Sequence, residues 1–271
     1  MRNFLFFAFL TTVCSFTTLE LQTGVWLCGA AYCKKQDYPT MKITGLGSGF
    51  IYNETLYNEK TDIQGYIGYL PSTKSIYTVI RGSSSTLNWL DDFEIRLVPY
   101  KTFQECNCHV HHGFYQTTLL LREQVVKTVK GLKSQFPDYD VIVMGHSLGA
   151  AISQFLGLEL MKDGIDCMVY NYGQPRLGDL NFANFVNTKL KQKLFRVTHY
   201  KDWVPHTPPM ILNYYHSCLE IYQDEYNNIR PCLLSCEDPT CANQFPITST
   251  NGYDHDVYLN HSLHCKNSVL T

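Results

Sequence analysis

The period of the apolar positions changes several times along the chain, and each change marks an element. Asp62 to Tyr69 and Ser75 to Arg81 are two strand-like runs separated by Pro71-Ser72-Thr73, which predicts a hairpin. Leu121, Val125, Val129, Leu132 and Phe136 recur at spacings of four, four, three and four, one stripe on a long helix over Phe114 to Phe136 that Pro137-Asp138 ends. Asp140 to Met144 contains Val141-Ile142-Val143, apolar without alternation, the pattern of a parallel strand covered on both faces. A helix over Gly149 to Met161 follows, with Gly164 placed to close it. Asp166 to Tyr172 reads as a strand, Asn181 to Lys193 as an amphipathic helix, Leu194 to Tyr200 as another buried strand, and Tyr214 to Tyr222 as one more. This β-α-β-α-β alternation predicts the α/β class, with a mostly parallel central sheet covered by helices. No repeat or linker divides residues 21 to 271, so a single domain is expected. Beyond about residue 222 the pattern is irregular, and Cys232, Cys236 and Cys241 predict a loop region tied by disulfides.

Composition adds a compartment. Arg2 precedes a short apolar run, Phe4 to Val13, followed by small or polar residues at Cys14, Ser15, Thr17 and Thr18. Such a run is too short to span a bilayer and reads as a signal peptide over residues 1 to 20; the alternative is a buried N-terminal helix. No other stretch is long and apolar enough for a membrane helix. Ten of the 11 cysteines lie beyond Cys14, an even number that suits disulfides in an exported chain. A zinc site at Cys106-Asn107-Cys108 with His109, His111 and His112 fits poorly, because structural zinc prefers two to four residues between paired cysteines. Asn53-Glu54-Thr55 and Asn260-His261-Ser262 are sequons for glycosylation on a secretory route. A net charge of −2 leaves no basic face, which argues against nucleic acid as a partner.

Gly145-His146-Ser147-Leu148-Gly149 is a Gly-x-Ser-x-Gly run set between the buried strand and the next helix. That setting is what a nucleophilic serine needs: a turn tight enough to project its hydroxyl above the sheet, with helix N-terminal amides aimed at the developing anion. A serine also needs a base, and the base an orienting acid, following in that fold as acid and then histidine. Asp202 comes directly after the strand Leu194 to Tyr200, with Asp179 the second candidate. His255 lies in a late loop, with His261 its competitor; His206 is too close to Asp202, and His216 sits in the expected strand.

Five segments, in order, resemble the class 3, fungal-type lipases of the α/β-hydrolase superfamily. They are Ile80-Arg81-Gly82-Ser83-Ser84-Ser85 with Asn88-Trp89-Leu90, Val110-His111-His112-Gly113-Phe114, Gly145 to Gly149, Tyr172 to Asp179, and Arg196 to Pro205. The resemblance implies an α/β-hydrolase fold with Ser147, Asp202 and His255 as the catalytic triad, His255-Asp256-Val257-Tyr258 matching the family's histidine segment. It implies an oxyanion hole at Ser83 and Leu148, and a disulfide between Cys33 and Cys265. It places Asp179 in a structural motif. Two features depart from the family pattern. Cys106-Asn107-Cys108 has one intervening residue where two are usual, so each cysteine is expected to have another partner. The cysteine-rich insertion Cys232 to Cys241 has no clear counterpart.

The expected activity is acyl transfer through an acyl-enzyme on Ser147, with no cofactor and no metal. Leu87, Trp89, Leu90 and Phe93 would line a short lid and bind substrate, since Leu87, Leu90 and Phe93 form one apolar helix face. By resemblance this favours a secreted triacylglycerol lipase, working as a monomer on a lipid ester at an oil–water or membrane interface. A phospholipase A1 and an aryl-ester (feruloyl-type) esterase are the alternatives within the class. A catalytically silent lipid-binding relative is the alternative outside it.

Overall fold

A computed structural model of the 271-residue chain describes residues 16–83 and 95–270. Leu87, Trp89, Leu90 and Phe93 lie outside the described residues, as does most of the expected signal peptide.

The hairpin forms as β2 (Ile63–Leu70) and β3 (Ser75–Ile80), paired antiparallel with Leu70 opposite Ser75. An edge strand, β1 (Ile51–Asn58), precedes it; the sequence reading had none here, because Tyr-Asn-Glu-Thr carries no apolar alternation. A small ribbon of β4 (Leu97–Pro99) and β5 (His109–His111) leads into the long helix. The parallel centre is β6 (Asp140–His146), β7 (Met168–Tyr172) and β8 (Leu194–His199), followed by β9 (Glu220–Gln223) and β10 (Ile229–Pro231). The eight-stranded order is β1-β2-β3-β6-β7-β8-β9-β10, parallel from β3 to β9 and antiparallel at both edges.

Two apolar layers sandwich this sheet. Val141 and Val143 face a cluster with Leu121, Val125 and Val129 from one helix (His112–Gln135) and Ile152 and Phe155 from another (Leu148–Lys162). Ile142 and Met144 face the opposite cluster, which includes Leu21, Val25 and Leu27. The unbroken run at 141–144 therefore has its physical reason: both faces of the strand are buried. The second layer is supplied by α1 (Thr18–Ala30), whose first turn is closed by a capping box between Thr17 and Glu20. Residues 18 to 20, assigned to the leader from sequence, thus form the first turn of a core helix.

Other differences are local. The expected strand Tyr214 to Tyr222 is ordered as a strand only from Glu220, because Tyr215 bridges to Gly178 instead, and His216 lies in the buried link between. The amphipathic helix spans Leu180–Lys189, and a short turn completes the connection to β8. Among the described residues four disulfides join Cys33 to Cys265, Cys106 to Cys108, Cys218 to Cys236 and Cys232 to Cys241. Cys106 and Cys108 are thus each other's partners, contrary to expectation. Cys28 and Cys167 are buried free thiols rather than a fifth bridge. Among the described residues no helix is long and apolar enough to cross a membrane.

Candidate active site

The carboxyl ends of β3, β6, β7 and β8 meet at one edge of the sheet, and the chemistry-bearing residues gather there. β6 ends at His146, and the helix starting at Leu148 departs at once, leaving Ser147 alone in the turn with φ 58° and ψ −127°. A non-glycine residue held there carries roughly 1–3 kcal/mol of strain, which the surrounding packing sustains. The turn closes because both glycines lack side chains. A Cβ on Gly145 would lie 2.3 Å from the Gly149 backbone, and one on Gly149 2.2 Å from the Ile80 carbonyl oxygen. Ser147 N–H donates to the Tyr172 carbonyl at 2.9 Å. The Ser147 hydroxyl is buried and has no hydrogen-bond partner among the described residues.

Asp202 follows β8 and is 1% exposed. Its carboxylate accepts the Nδ1 proton of His255, at 2.8 Å from Oδ2 and 3.0 Å from Oδ1. Val204 N–H donates to Oδ1 at 2.9 Å, and the Tyr258 hydroxyl donates to Oδ2. Burial first, and then the Asp202 charge, push the Tyr258 phenol well above its usual range, so it remains a donor. With Nδ1 engaged, His255 keeps a lone pair on Nε2, which has no partner among the described residues.

Ser83 stands three residues beyond β3 at the same sheet edge, since Ile80 pairs with Gly145. The Gly82 backbone beside it runs close to the serine: a Cβ there would lie 2.9 Å from Ser147 Cβ. Arg81 fixes this segment, donating from Nε to the Gly82 carbonyl at 2.8 Å and from Nη2 to Asp62 at 2.9 Å. Leu148 opens its helix, so its N–H has no intrahelical carbonyl to meet.

The competing residues are placed elsewhere. His261 bonds Ser268 Oγ at 2.7 Å and stacks near Trp26, away from Asp202. Asp179 caps the helix Leu180–Lys189 through Phe182 N–H and also accepts from His109. His216 bonds the Pro205 carbonyl at 2.8 Å, and His206 is buried in the turn after Asp202. Cys33 and Cys265 form the bridge that ties the end of α1 to the C-terminal segment.

Sequence reasoning missed Gly173. It follows β7 with φ +58°, and a Cβ there would lie 2.8 Å from Asp202 Oδ2 and 2.9 Å from His255 Nδ1 and Cε1. The signal was present in Tyr172-Gly173-Gln174-Pro175, read only as part of a family motif. Tyr258 was likewise visible as the aromatic of the His255 segment, without a role.

A doubly covered, mostly parallel sheet with a serine elbow at its carboxyl edge defines the α/β-hydrolase class. Within it, the sequence pattern of the family Lipase (class 3) matches residues 77–212, half of the chain. The chain belongs to that family. It is 31% identical over 198 residues to secreted mono- and diacylglycerol lipase 1 of Fusarium solani, covering 73% of this chain and 56% of that protein. It is 35% identical over 196 residues to a lipase of Rhizomucor miehei, covering 69% of this chain and 52% of that one. The chain thus matches little more than half the length of these relatives. The solved structure of the Rhizomucor miehei triacylglyceride lipase superposes with a TM-score of 0.82 at 28% identity, over 91% of this chain and 96% of that one.

Proposed function

We propose that this protein is a secreted serine carboxylic-ester hydrolase acting on acylglycerols, with Ser147 as nucleophile, His255 as base and Asp202 as orienting acid. The observation that carries it is a buried histidine oriented by a buried carboxylate at the sheet edge that also carries the strained Ser147 turn. Ser147 Oγ stands on a strained turn, and His255 Nε2 has its lone pair directed by the Asp202 bond at Nδ1.

In this reading His255 Nε2 takes the Ser147 proton as Oγ bonds to the ester carbonyl carbon and the carbonyl electron pair moves onto oxygen. N–H groups of Ser83 and Leu148 hold that oxyanion. Collapse breaks the ester C–O bond, and the departing alkoxide takes the proton from His255. Water, deprotonated by His255 in turn, attacks the acyl carbon; the acyl C–Oγ bond breaks, Ser147 Oγ takes the proton back from His255, and the fatty acid leaves. Losing one oxyanion donor typically lowers turnover about 10²–10³-fold. In this reading one chain supplies every catalytic group, and the protein works as a monomer.

Export fits the four disulfides. The capping box at Thr17 and Glu20 favours leader removal ahead of Thr17 rather than at residue 20, and N-terminal sequencing of secreted protein reads this directly.

The decisive experiment is labelling of the secreted protein with a serine-reactive phosphonate, followed by assays on emulsified triacylglycerol and on soluble short-chain esters. Labelling at Ser147 and its loss in Ser147→Ala are expected, with faster turnover of the emulsion. An unlabelled wild-type protein would remove the enzyme reading; turnover confined to soluble esters would replace the lipase by an esterase.

A further inference from the structure

The loop that carries His255 hangs from two other histidines. His146, the last residue of β6, places Nε2 2.8 Å from the His255 carbonyl oxygen. His199, the last residue of β8, places Nδ1 2.9 Å from the Asp254 carbonyl oxygen. A carbonyl only accepts, so both of these ring nitrogens carry a proton. This fixes the tautomer of His146: its Nδ1 is the acceptor, and the Tyr32 hydroxyl donates to it at 2.6 Å.

Both rings are buried, at 1% and 6% exposure. Burial foremost, and then the neighbouring His255, hold His146 well below the usual histidine range, so it is neutral. Neutrality matters at this distance. The His146 and His255 rings are 4.3 Å apart, and a cationic His146 would oppose the imidazolium that must form on His255. Neither ring nitrogen of His146 is left for proton transfer.

The loop from Thr250 to Asp256 contains no helix or strand and is fastened first to the Asp202 segment. Asn251 N–H donates to the Lys201 carbonyl at 2.9 Å, and Asp254 Oδ2 accepts from Lys201 N–H at 3.2 Å. Those bonds hold the two loops to each other. The histidine bonds hold the peptide units on either side of the His255 α-carbon to strand ends of the central sheet.

We propose that His146 and His199 are positioning residues that clamp the carbonyls of residues 255 and 254 to the ends of β6 and β8, with Tyr32 setting the His146 tautomer. The clamp keeps His255 Nδ1 on Asp202 and leaves Nε2 for the Ser147 proton. Its kinetic consequence rests on the hydrolase reading above; its geometric consequence does not.

The test compares His146→Ala with His146→Gln, and His199→Ala with His199→Asn, in the full secreted chain. Gln Nε2 and Asn Nδ2 can stand where the two donating ring nitrogens stand. One readout is kcat and KM on p-nitrophenyl butyrate; the other is the NMR signal of the His255 Nδ1 proton shared with Asp202, which needs no turnover. The alanine variants are expected to lose about 10²-fold in kcat with KM little changed, as a displacement near 1 Å produces. They should also broaden or lose the proton signal, and the amide variants should recover both. Should an alanine variant not fold, Tyr32→Phe provides the second test: a lower kcat and a weakened proton signal are expected. Alanine variants or Tyr32→Phe with wild-type kcat and an unchanged proton signal would overturn the clamp while leaving the hydrolase reading intact. A wild-type protein that shows the proton but hydrolyses no ester would overturn the hydrolase reading, and the clamp then stands or falls on the proton signal in the variants.

Discussion

Gly173→Ala separates two effects of a single methyl group. Gly173 has φ +58°, where an alanine is strained by about 1–2 kcal/mol. The new Cβ would also sit 2.8 Å from Asp202 Oδ2 and 2.9 Å from His255 Nδ1, whereas ordinary carbon contacts begin near 3.4 Å. Asp202 and His255 must therefore retreat by about half an ångström or more, against a hydrogen bond of 2.8 Å that weakens quickly beyond about 3.2 Å. Stability should fall by about 1–2 kcal/mol, or a few degrees in Tm for a domain of this size, while kcat/KM should fall by about 10²-fold. Gly164→Ala is the matched control: φ is +79° there, and nothing lies within 4 Å of the added Cβ. It should show the same order of Tm loss with full activity on p-nitrophenyl butyrate. If Gly173→Ala matched Gly164→Ala in both Tm and activity, the crowding argument would be wrong, and with it the placing of the reaction at Asp202 and His255.

Tyr258→Phe removes a buried donor to Asp202; a bond to a charged group contributes about 1.5–3 kcal/mol, so a fall in kcat/KM of ten- to a hundredfold is expected, with KM steady. Stability should decline between pH 6.5 and 5. Burial holds His111 at about 3 and His146 and His216 well below 6.5, so the unfolded chain binds more protons in that window. Each such histidine removes about 1.4 kcal/mol per pH unit below 6.5, and thermal melts at pH 7, 6 and 5 read the sum. Burial raises the Glu237 carboxyl, but His216 and Arg176, through charge and hydrogen bonds, outweigh it and hold the group well below its usual range; the stability this adds is present above 4.5 and lost only below it, so it does not mask the histidine effect. Replacing both Cys33 and Cys265 by serine opens a loop of 232 residues and should destabilise the fold by up to about 5 kcal/mol, read by urea denaturation.

The sheet centre was legible because its physics is local. Val141-Ile142-Val143 buries both faces of one strand, and the elbow that follows needs its two glycines within five residues. β1 and α1 were not legible for different reasons. β1 is an edge strand whose exposed side chains obey no apolar period, and its place is set by pairing with β2. α1 is buried on most of its circumference, at Leu21, Thr23, Gly24, Val25, Leu27, Cys28, Gly29 and Ala30, so its sequence carries no single apolar stripe of helical period.

The site divides along the same line. The proposed Ser147, Asp202 and His255 can be found from residue type and chain order, because the proposed reaction dictates both. Their supports cannot. Gly173 matters through two Cβ distances to residues 29 and 82 positions further along the chain, and His146 and His199 through carbonyls 109 and 55 positions away. A buried histidine is chemically ambiguous in a sequence: His146, His199, His216 and His255 could each be a base or a spacer. What separates them is the partner of each ring nitrogen. His146 and His216 each donate to a carbonyl, His199 does so from Nδ1, and His255 alone among the four donates to a carboxylate and keeps Nε2 open beside the serine turn. An unbound nitrogen is not enough, since His216 Nδ1 is also buried and unpartnered among the described residues; the proposed base is singled out by a carboxylate at one ring nitrogen and a free lone pair at the other, a property that exists only once the chain has folded.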